Sequence, residues 1–107
     1  MESISSLSRE FVQAEVEATE QGLAYNPTAD VVEFAFTPVG NRLPDTWFTG
    51  SWDGTQPIPG TNAYRAQVLI GPGSGGPVLA VGKYQYWIRV TDSPEVPVLP
   101  VGQLAIT

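Results

Sequence analysis

The chain of 107 residues contains no cysteine and no histidine. These two absences exclude thiol nucleophiles, disulfides, zinc sites with nitrogen or sulfur ligands, and serine–histidine catalytic triads. Charged residues are also scarce, at 15% against a usual share of about 25%. We therefore expect a protein that is not an enzyme and that binds neither a metal nor a cofactor.

The few charges are unevenly divided, with 11 acidic and 5 basic residues and a net charge of −6. This balance argues against the phosphate backbone of a nucleic acid as a direct partner. No run approaches the ~20 apolar residues of a membrane span. The first residues also lack the basic and apolar regions of a signal peptide. We therefore expect no direct contact with nucleic acid and no membrane association.

The remaining candidates for catalysis are carboxylates, and their spacing is unfavourable. Asp45 and Asp53 flank one predicted strand, so they lie at its opposite ends, whereas a glycosidase pair shares one cleft. Asp53 begins an Asp-Gly-Thr segment that lacks the alternating oxygen ligands of a calcium loop. Residues 71–76 are glycine-rich but precede neither a lysine nor a helix that would bind phosphate.

Glycine and proline, at 11 and 10 residues, interrupt the sequence about once per strand length, which is typical of an all-β sandwich or barrel. Apolar and polar residues alternate within the intervening segments, as expected of strands with one buried face. A helix is the alternative for residues 11–18, because Glu and Ala favour helices, but its apolar residues form no continuous stripe. The predicted strands cover residues 11–18, 31–37, 46–52, 62–70, 84–90 and 101–107.

A tyrosine corner is predicted at Leu79-Ala-Val-Gly-Lys-Tyr84. In immunoglobulin-like domains the tyrosine hydroxyl of such a corner bonds the backbone a few residues upstream and fixes the entry into a central strand. The strand that follows places Tyr84, Tyr86, Ile88 and Val90 on one face. The sequence therefore predicts an immunoglobulin-like antiparallel β-sandwich of about seven strands over residues 11–107, preceded by an extended N-terminal arm, residues 1–10.

Three local features leave alternatives. Trp47 and Trp52 have opposite parity in the third strand, so only one faces the core unless a bulge at Gly50 resets the register; we favour Trp47. Residues 71–77 contain four glycines and two prolines and are interpreted as a connector between the sheets, the alternative being a tip presented to a partner. Pro94, Pro97 and Pro100 indicate that the final strand is an edge strand.

Trp87 is the sharpest candidate for a binding residue. Its parity places the indole on the outer face together with Arg89, and tryptophan and arginine are common interface anchors. The alternative is that the arm or the glycine-rich loop covers Trp87 within the same chain. Ile4, Leu7 and Arg9 of the arm complete the predicted protein interface. Exposed tryptophans also support a different function, carbohydrate binding, because aromatic faces stack on sugar rings.

Several segments together resemble a known family. They are Ser6-Leu-Ser-Arg-Glu-Phe-Val12, Phe34-Ala-Phe-Thr37, residues 47–52, the corner segment, and Trp87-Ile-Arg-Val-Thr-Asp-Ser-Pro-Glu-Val-Pro97. In this order they resemble small immunoglobulin-like proteins encoded among the head and neck genes of tailed phages and prophages of actinobacteria. The chain is less closely similar to the immunoglobulin-like N-terminal domain of some phage baseplate proteins.

This resemblance implies a structural protein of the virion, present in many copies of a symmetric assembly. It implies a capsid decoration on the head surface or a neck component of the head-to-tail connector, and it brings no enzymatic residues. The implied partners are other virion proteins: major capsid, portal or head-tail joining subunits. Synthesis in the host cytoplasm and incorporation into the virion would follow. The carbohydrate-binding immunoglobulin-like module remains the alternative.

Overall fold

The computed structural model describes residues 2–20, 23–40, 43–91 and 98–107. Strands account for most of them, and the one short helix is a 3-10 turn at Pro27–Ala29. The strands are β1 (Glu2–Ile4), β2 (Glu10–Val16), β3 (Ala18–Glu20), β4 (Leu23–Tyr25), β5 (Val31–Pro38), β6 (Phe48–Thr49), β7 (Ser51–Trp52), β8 (Tyr64–Ile70), β9 (Gly82–Thr91) and β10 (Val98–Ile106).

Two sheets pack face to face, which confirms the predicted immunoglobulin-like β-sandwich. The larger sheet has the order β1-β10-β9-β5-β6 and the smaller one β2-β8-β7, while β3 and β4 form a separate hairpin. All pairings are antiparallel except that of β1 with β10. Within the described part of the chain, no helix is long and apolar enough to cross a membrane.

The core consists of the inward residues of both sheets, as the alternation predicted. In β2, Val12 and Ala14 are buried while Gln13 and Glu15 are exposed, so this segment is a strand and the helical alternative is wrong. Each buried aliphatic side chain contributes about 1.5–3 kcal/mol relative to exposure. The core residues are Ile4, Val12, Ala14, Val32, Phe34, Ala66, Val68, Ile70, Ile88, Leu104 and Ile106.

The predicted third strand is divided between the two sheets at Gly50. β6 pairs with β5 in the larger sheet, whereas β7 pairs with β8 in the smaller one. The Gly50 N–H donates to the Val32 carbonyl at 2.8 Å. A Cβ at this position would lie 2.6 Å from the Gln67 carbonyl oxygen and 2.9 Å from the Phe34 ring. Glycine is therefore required because the chain passes too close to both sheets for a side chain.

The tyrosine corner forms as predicted. The Tyr84 hydroxyl donates to the Ala80 carbonyl oxygen at 2.8 Å, and Leu79 packs against the core. The bond spans four residues just before the chain enters the middle of the larger sheet, as expected of this feature in immunoglobulin-like domains. The residues before β9 connect the small sheet to the large one, which agrees with the connector interpretation of residues 71–77.

Both chain termini differ from the expectation. Part of the predicted arm is β1, which pairs with Leu104–Ile106 of β10. The C-terminal half of β10 therefore lies between two strands and is not an edge. Pro100 lies in the other half, next to a register shift between Pro100 and Gly102, and among the described residues this half has β9 alone as a neighbour. Pro94 and Pro97 lie outside the described residues.

Candidate interaction surface

The outer face of the larger sheet carries two tryptophans on either side of a buried alanine. Ala35 faces away from the core, yet it is fully buried. Trp87 of β9 is its cross-strand neighbour on one side. On the other side Phe34 pairs with Phe48, so continuing the register by one residue places Trp47 opposite Ala35. The two indoles therefore cover the middle of this face.

Polar groups around the indoles are paired with one another. The Arg89 Nε donates to the Glu33 Oε1 at 2.9 Å, and the Arg89 guanidinium lies over the Trp47 ring, 4.2 Å from its centroid. The Trp87 indole N–H donates to the Thr37 hydroxyl at 3.0 Å, and Thr37 is itself buried. We call Glu33, Thr37, Trp47, Trp87 and Arg89 the outer-face cluster.

The outer-face cluster confirms the predicted parity of Trp87 and Arg89 but leaves them little free surface. Both side chains are half-buried, and the Arg89 Nε and the Trp87 indole N–H already have partners in the same chain. Among the described residues, the partners of these two side chains are Trp47, Glu33 and Thr37, whereas the expected covers were the arm or the glycine-rich loop. Trp87 and Arg89 therefore remain predicted contact residues with limited access.

The tryptophans of the third strand are placed opposite to the favoured prediction. Trp52 packs against the core, and its indole N–H donates to the Asp30 carbonyl at 3.0 Å. Trp47 lies on the outer face beneath Arg89. The interpretation of Trp47 as the buried sandwich tryptophan was wrong because its neighbour Phe48 packs against the core, with Trp52 on the same parity. The Arg89 guanidinium covers one face of Trp47 and Trp52 packs against the core, so both indoles offer less surface for sugar stacking than exposed rings would.

A second surface lies at the end of the sandwich where β1, β5, β8 and β10 finish and β2 and β9 begin. Backbone bonds join its loops: Ser6 N–H to the Thr107 carbonyl, Gly71 N–H to the Pro77 carbonyl, and Val39 N–H to the Lys83 carbonyl. The described parts of the connections at this end are residues 5–9, 39–40, 43–46 and 71–81.

This end exposes large apolar side chains. Of the exposed large hydrophobic residues in the described part of the chain, all but Val31 lie there or at the adjacent start of β2. Scattered single apolar residues are normal on a surface, but a concentration at one place marks an interaction site. We call this set the apolar end: Leu7, Phe11, Val39, Leu43, Val78 and Val81.

Charge is distributed in the opposite sense. Arg9 and Lys83 are exposed at the apolar end, and the Arg9 guanidinium donates to the Gly73 carbonyl at 3.2 Å. At the other end the carboxylates Glu15, Glu17 and Asp53 are exposed. Glu10 and Asp45 are exposed at the apolar end as well, so the charges of the apolar end balance, whereas the opposite end is acidic and suits solvent.

An open groove of about 240 Å³ adjoins the apolar end on the outer face of the smaller sheet. Its lining combines apolar and amide side chains with exposed backbone of the glycine-rich loop. It contains no histidine, cysteine or carboxylate. The lining includes Phe11, Gln67, Leu69, Gly75 and Gly76.

The three predicted arm residues are separated by the fold. Ile4 is 2% exposed and belongs to the core, so the expectation that it contacts a partner is corrected: β1 uses it to close the sandwich. Leu7 is 88% exposed and belongs to the apolar end, beside Arg9. Both remain predicted interface residues.

The sequence analysis missed most of the apolar end. Val39, Leu43, Val78 and Val81 lie in loops, where no periodicity marks a residue as exposed. A signal was present nevertheless, because each is adjacent to a glycine or proline, and such neighbours take a residue out of regular strands. Phe11 was detectable from its parity, since it lies on the polar side of β2.

No protein-family model matches the chain, and no curated protein and no solved structure matches it. In the described part of the chain, no group of three or more acidic residues is placed to hold a metal ion. The geometry of its own surfaces is therefore the basis for a functional proposal.

Proposed function

We propose that this chain is a non-enzymatic structural subunit of a tailed-phage virion, attached at the head surface or head-to-tail junction. It docks on its virion neighbour through the apolar end. The resemblance of the sequence supports the kind of particle. The clustering of exposed Leu7, Val39, Leu43, Val78 and Val81 at one end supports the mode of attachment, and it is the observation on which the proposal depends.

Burial of these side chains would provide the driving force. Val39 and the loops that carry Leu7, Val78 and Val81 are held by backbone hydrogen bonds, so little order has to be gained there on binding. Removing a mostly exposed Val or Leu from water contributes roughly 1.5–3 kcal/mol. The acidic end, with Glu15, Glu17 and Asp53, would then face outward and keep particles from associating.

The area of the apolar end limits the affinity of a single copy. The two shorter dimensions of the domain are 28 and 24 Å, so a flat contact over one end covers about 500 Å², below the ~800 Å² per partner of a standard interface. An isolated subunit should therefore bind weakly, and many copies held side by side would be retained by their neighbours. Binding is best measured on assembled particles.

The test compares valines at the two ends of the sandwich. Val81 is 69% exposed at the apolar end, and Val31 is 53% exposed at the other end. Particles lacking the chain are incubated with purified wild-type protein, Val81→Asp or Val31→Asp, and the bound copies are counted after sedimentation. Val81→Asp should reduce occupancy about tenfold, equivalent to about 1.4 kcal/mol, while Val31→Asp should bind as wild type does.

Equal occupancy for the two variants would remove the apolar end from the proposal. Absence of the wild-type chain from purified particles would remove the virion assignment altogether. Circular dichroism of both variants separates loss of binding from loss of folding.

A further inference from the structure

β2 is the outermost strand of the smaller sheet. It pairs with β8 over its whole length, from Glu10 opposite Ile70 to Val16 opposite Tyr64, without a register shift. In the described part of the chain no strand lies on its other side. A strand paired on one side leaves alternate backbone N–H and C=O groups unpaired along the free edge.

The hydrogen-bond pattern identifies which residues face the free edge. The Asp53 N–H donates to the Arg65 carbonyl, so the backbone of Arg65 points toward β7. By alternation Ala66 and Val68 point toward β2, where their partners are Ala14 and Val12.

The residues at the odd positions of β2 therefore direct both their backbone N–H and their C=O toward the free edge. These residues are Phe11, Gln13 and Glu15, and their side chains are all exposed.

This edge lacks most of the features by which proteins block strand addition. Between Phe11 and Val16 there is no proline, no bulge and no charge on the core-facing side, and those are the usual protections. The charges that are present are the exposed carboxylates of Glu10, Glu15 and Glu17. They would repel a second copy of a chain whose net charge is −6, and they would attract lysine or arginine.

We propose that β2 accepts an extended cationic segment of a partner protein, which adds as a fourth, antiparallel strand of the smaller sheet. Its backbone pairs with Phe11, Gln13 and Glu15, its basic side chains lie opposite Glu15 and Glu17, and an apolar side chain lies opposite Phe11. Main-chain bonds supply the affinity and side chains the selectivity. This surface is on the side of the sandwich, so the inference does not depend on the virion assignment.

The probe is a seven-residue peptide, as long as β2, placed opposite residues 11–17. It carries Val opposite Phe11, Thr opposite Gln13 and Lys opposite Glu15 and Glu17, with Val at the positions between. Amide hydrogen exchange of the ¹⁵N-labelled full chain is followed by NMR. At about ten times its dissociation constant the peptide should slow exchange of the Phe11, Gln13 and Glu15 amides about tenfold. The amides of Val12 and Ala14, already bonded to β8, should change little.

The matched variants are Gln13→Pro and Gln13→Ala. Proline removes an outward N–H, which an edge strand tolerates, so Gln13→Pro should abolish binding. Both variants lose the side-chain bond to Gln67, but Gln13→Ala keeps the backbone N–H. Gln13→Ala should therefore still bind the peptide. Should Gln13→Pro fail to fold, the wild-type chain is tested with a peptide N-methylated at its ladder positions, which should not bind.

Three outcomes would overturn the inference. The first is the absence of any amide protection by the lysine peptide at millimolar concentration. The second is equal binding of a peptide with glutamate in place of lysine. The third is protection of the same amides by raising the concentration of the chain alone, since a second copy would then occupy the edge.

Discussion

The substitution Gly50→Ala tests the point at which the chain changes sheets. An added Cβ would lie 2.6 Å from the Gln67 carbonyl oxygen and 2.9 Å from two carbons of the Phe34 ring, whereas carbon contacts are optimal at about 3.5–4.0 Å. Phe34 is fully buried and Gln67 is held by its pairing with Ser51. Neither can move aside without disturbing the core.

The magnitude follows from two opposing effects. Overpacking of this kind costs about 1–3 kcal/mol, and two rigid neighbours place it near the upper value. Replacing glycine by alanine also restricts the unfolded chain, which stabilises by about 0.4–1 kcal/mol. The net expectation is a loss of about 2 kcal/mol, or a fall in Tm of roughly 8–16 °C for a domain of this size.

Urea unfolding followed by tryptophan fluorescence measures this loss. The matched control is Gly54→Ala, because a Cβ at Gly54 meets nothing within 4 Å and the remaining strain comes from its φ of +84°. We expect Gly54→Ala to lose no more than about 1 kcal/mol. If Gly50→Ala were as stable as the wild type, or no less stable than Gly54→Ala, the described crossing between the sheets would be wrong.

Further substitutions test individual contacts by the same unfolding measurement. Tyr84→Phe should lower the free energy of unfolding by about 1 kcal/mol, since it removes the corner hydrogen bond; an unchanged value would mean that the corner adds no stability. Trp87→Phe should cost about 1–3 kcal/mol, because it leaves the buried Thr37 hydroxyl without its donor, and the cost should shrink in a Thr37→Val background. Ile4→Ala should cost about 2–5 kcal/mol, while Leu7→Ala should stay within about 0.5 kcal/mol of wild type; neutrality of both would contradict the placement of β1.

The parts of the fold that depend on local sequence were predictable. The alternation in β2 and β8 places Val12 and Val68 in the core without reference to any distant residue. The corner at Tyr84 spans a few residues and carries its own signature. Strand identity and fold class therefore followed from the sequence.

The misplaced features depend on contacts between distant segments. Gly50 has to avoid Phe34 and Gln67, and no local pattern shows that the chain changes sheets there. The exchanged roles of Trp47 and Trp52 depend on which parity of this segment faces the core, and that is decided by the packing of Phe48 and Trp52 against distant residues. β10 was expected at an edge because of its prolines, whereas its C-terminal half pairs with β1 from the other end of the chain.

The apolar end was only partly predictable for a different reason. It is assembled from three loops, and loop residues lack the periodicity that separates buried from exposed positions in strands. Leu7 was identified as a contact residue, whereas Val78 and Val81 were recognised as exposed only when the loops were seen together. For Trp87 and Arg89 the alternation predicted the correct face of the sheet. Their pairing with Thr37 and Glu33 was not predictable, because those residues lie far away in the sequence.

The proposal that this chain is a virion subunit is tested most directly by a cryo-EM map of particles purified from cells that produce the chain. The account predicts density for the domain on the head surface or at the head-to-tail junction, with Leu7, Val78 and Val81 against a neighbouring subunit. Glu17 and Asp53 would face the solvent. A particle without this density, or with the acidic end against the neighbour and the apolar end in solvent, would contradict it.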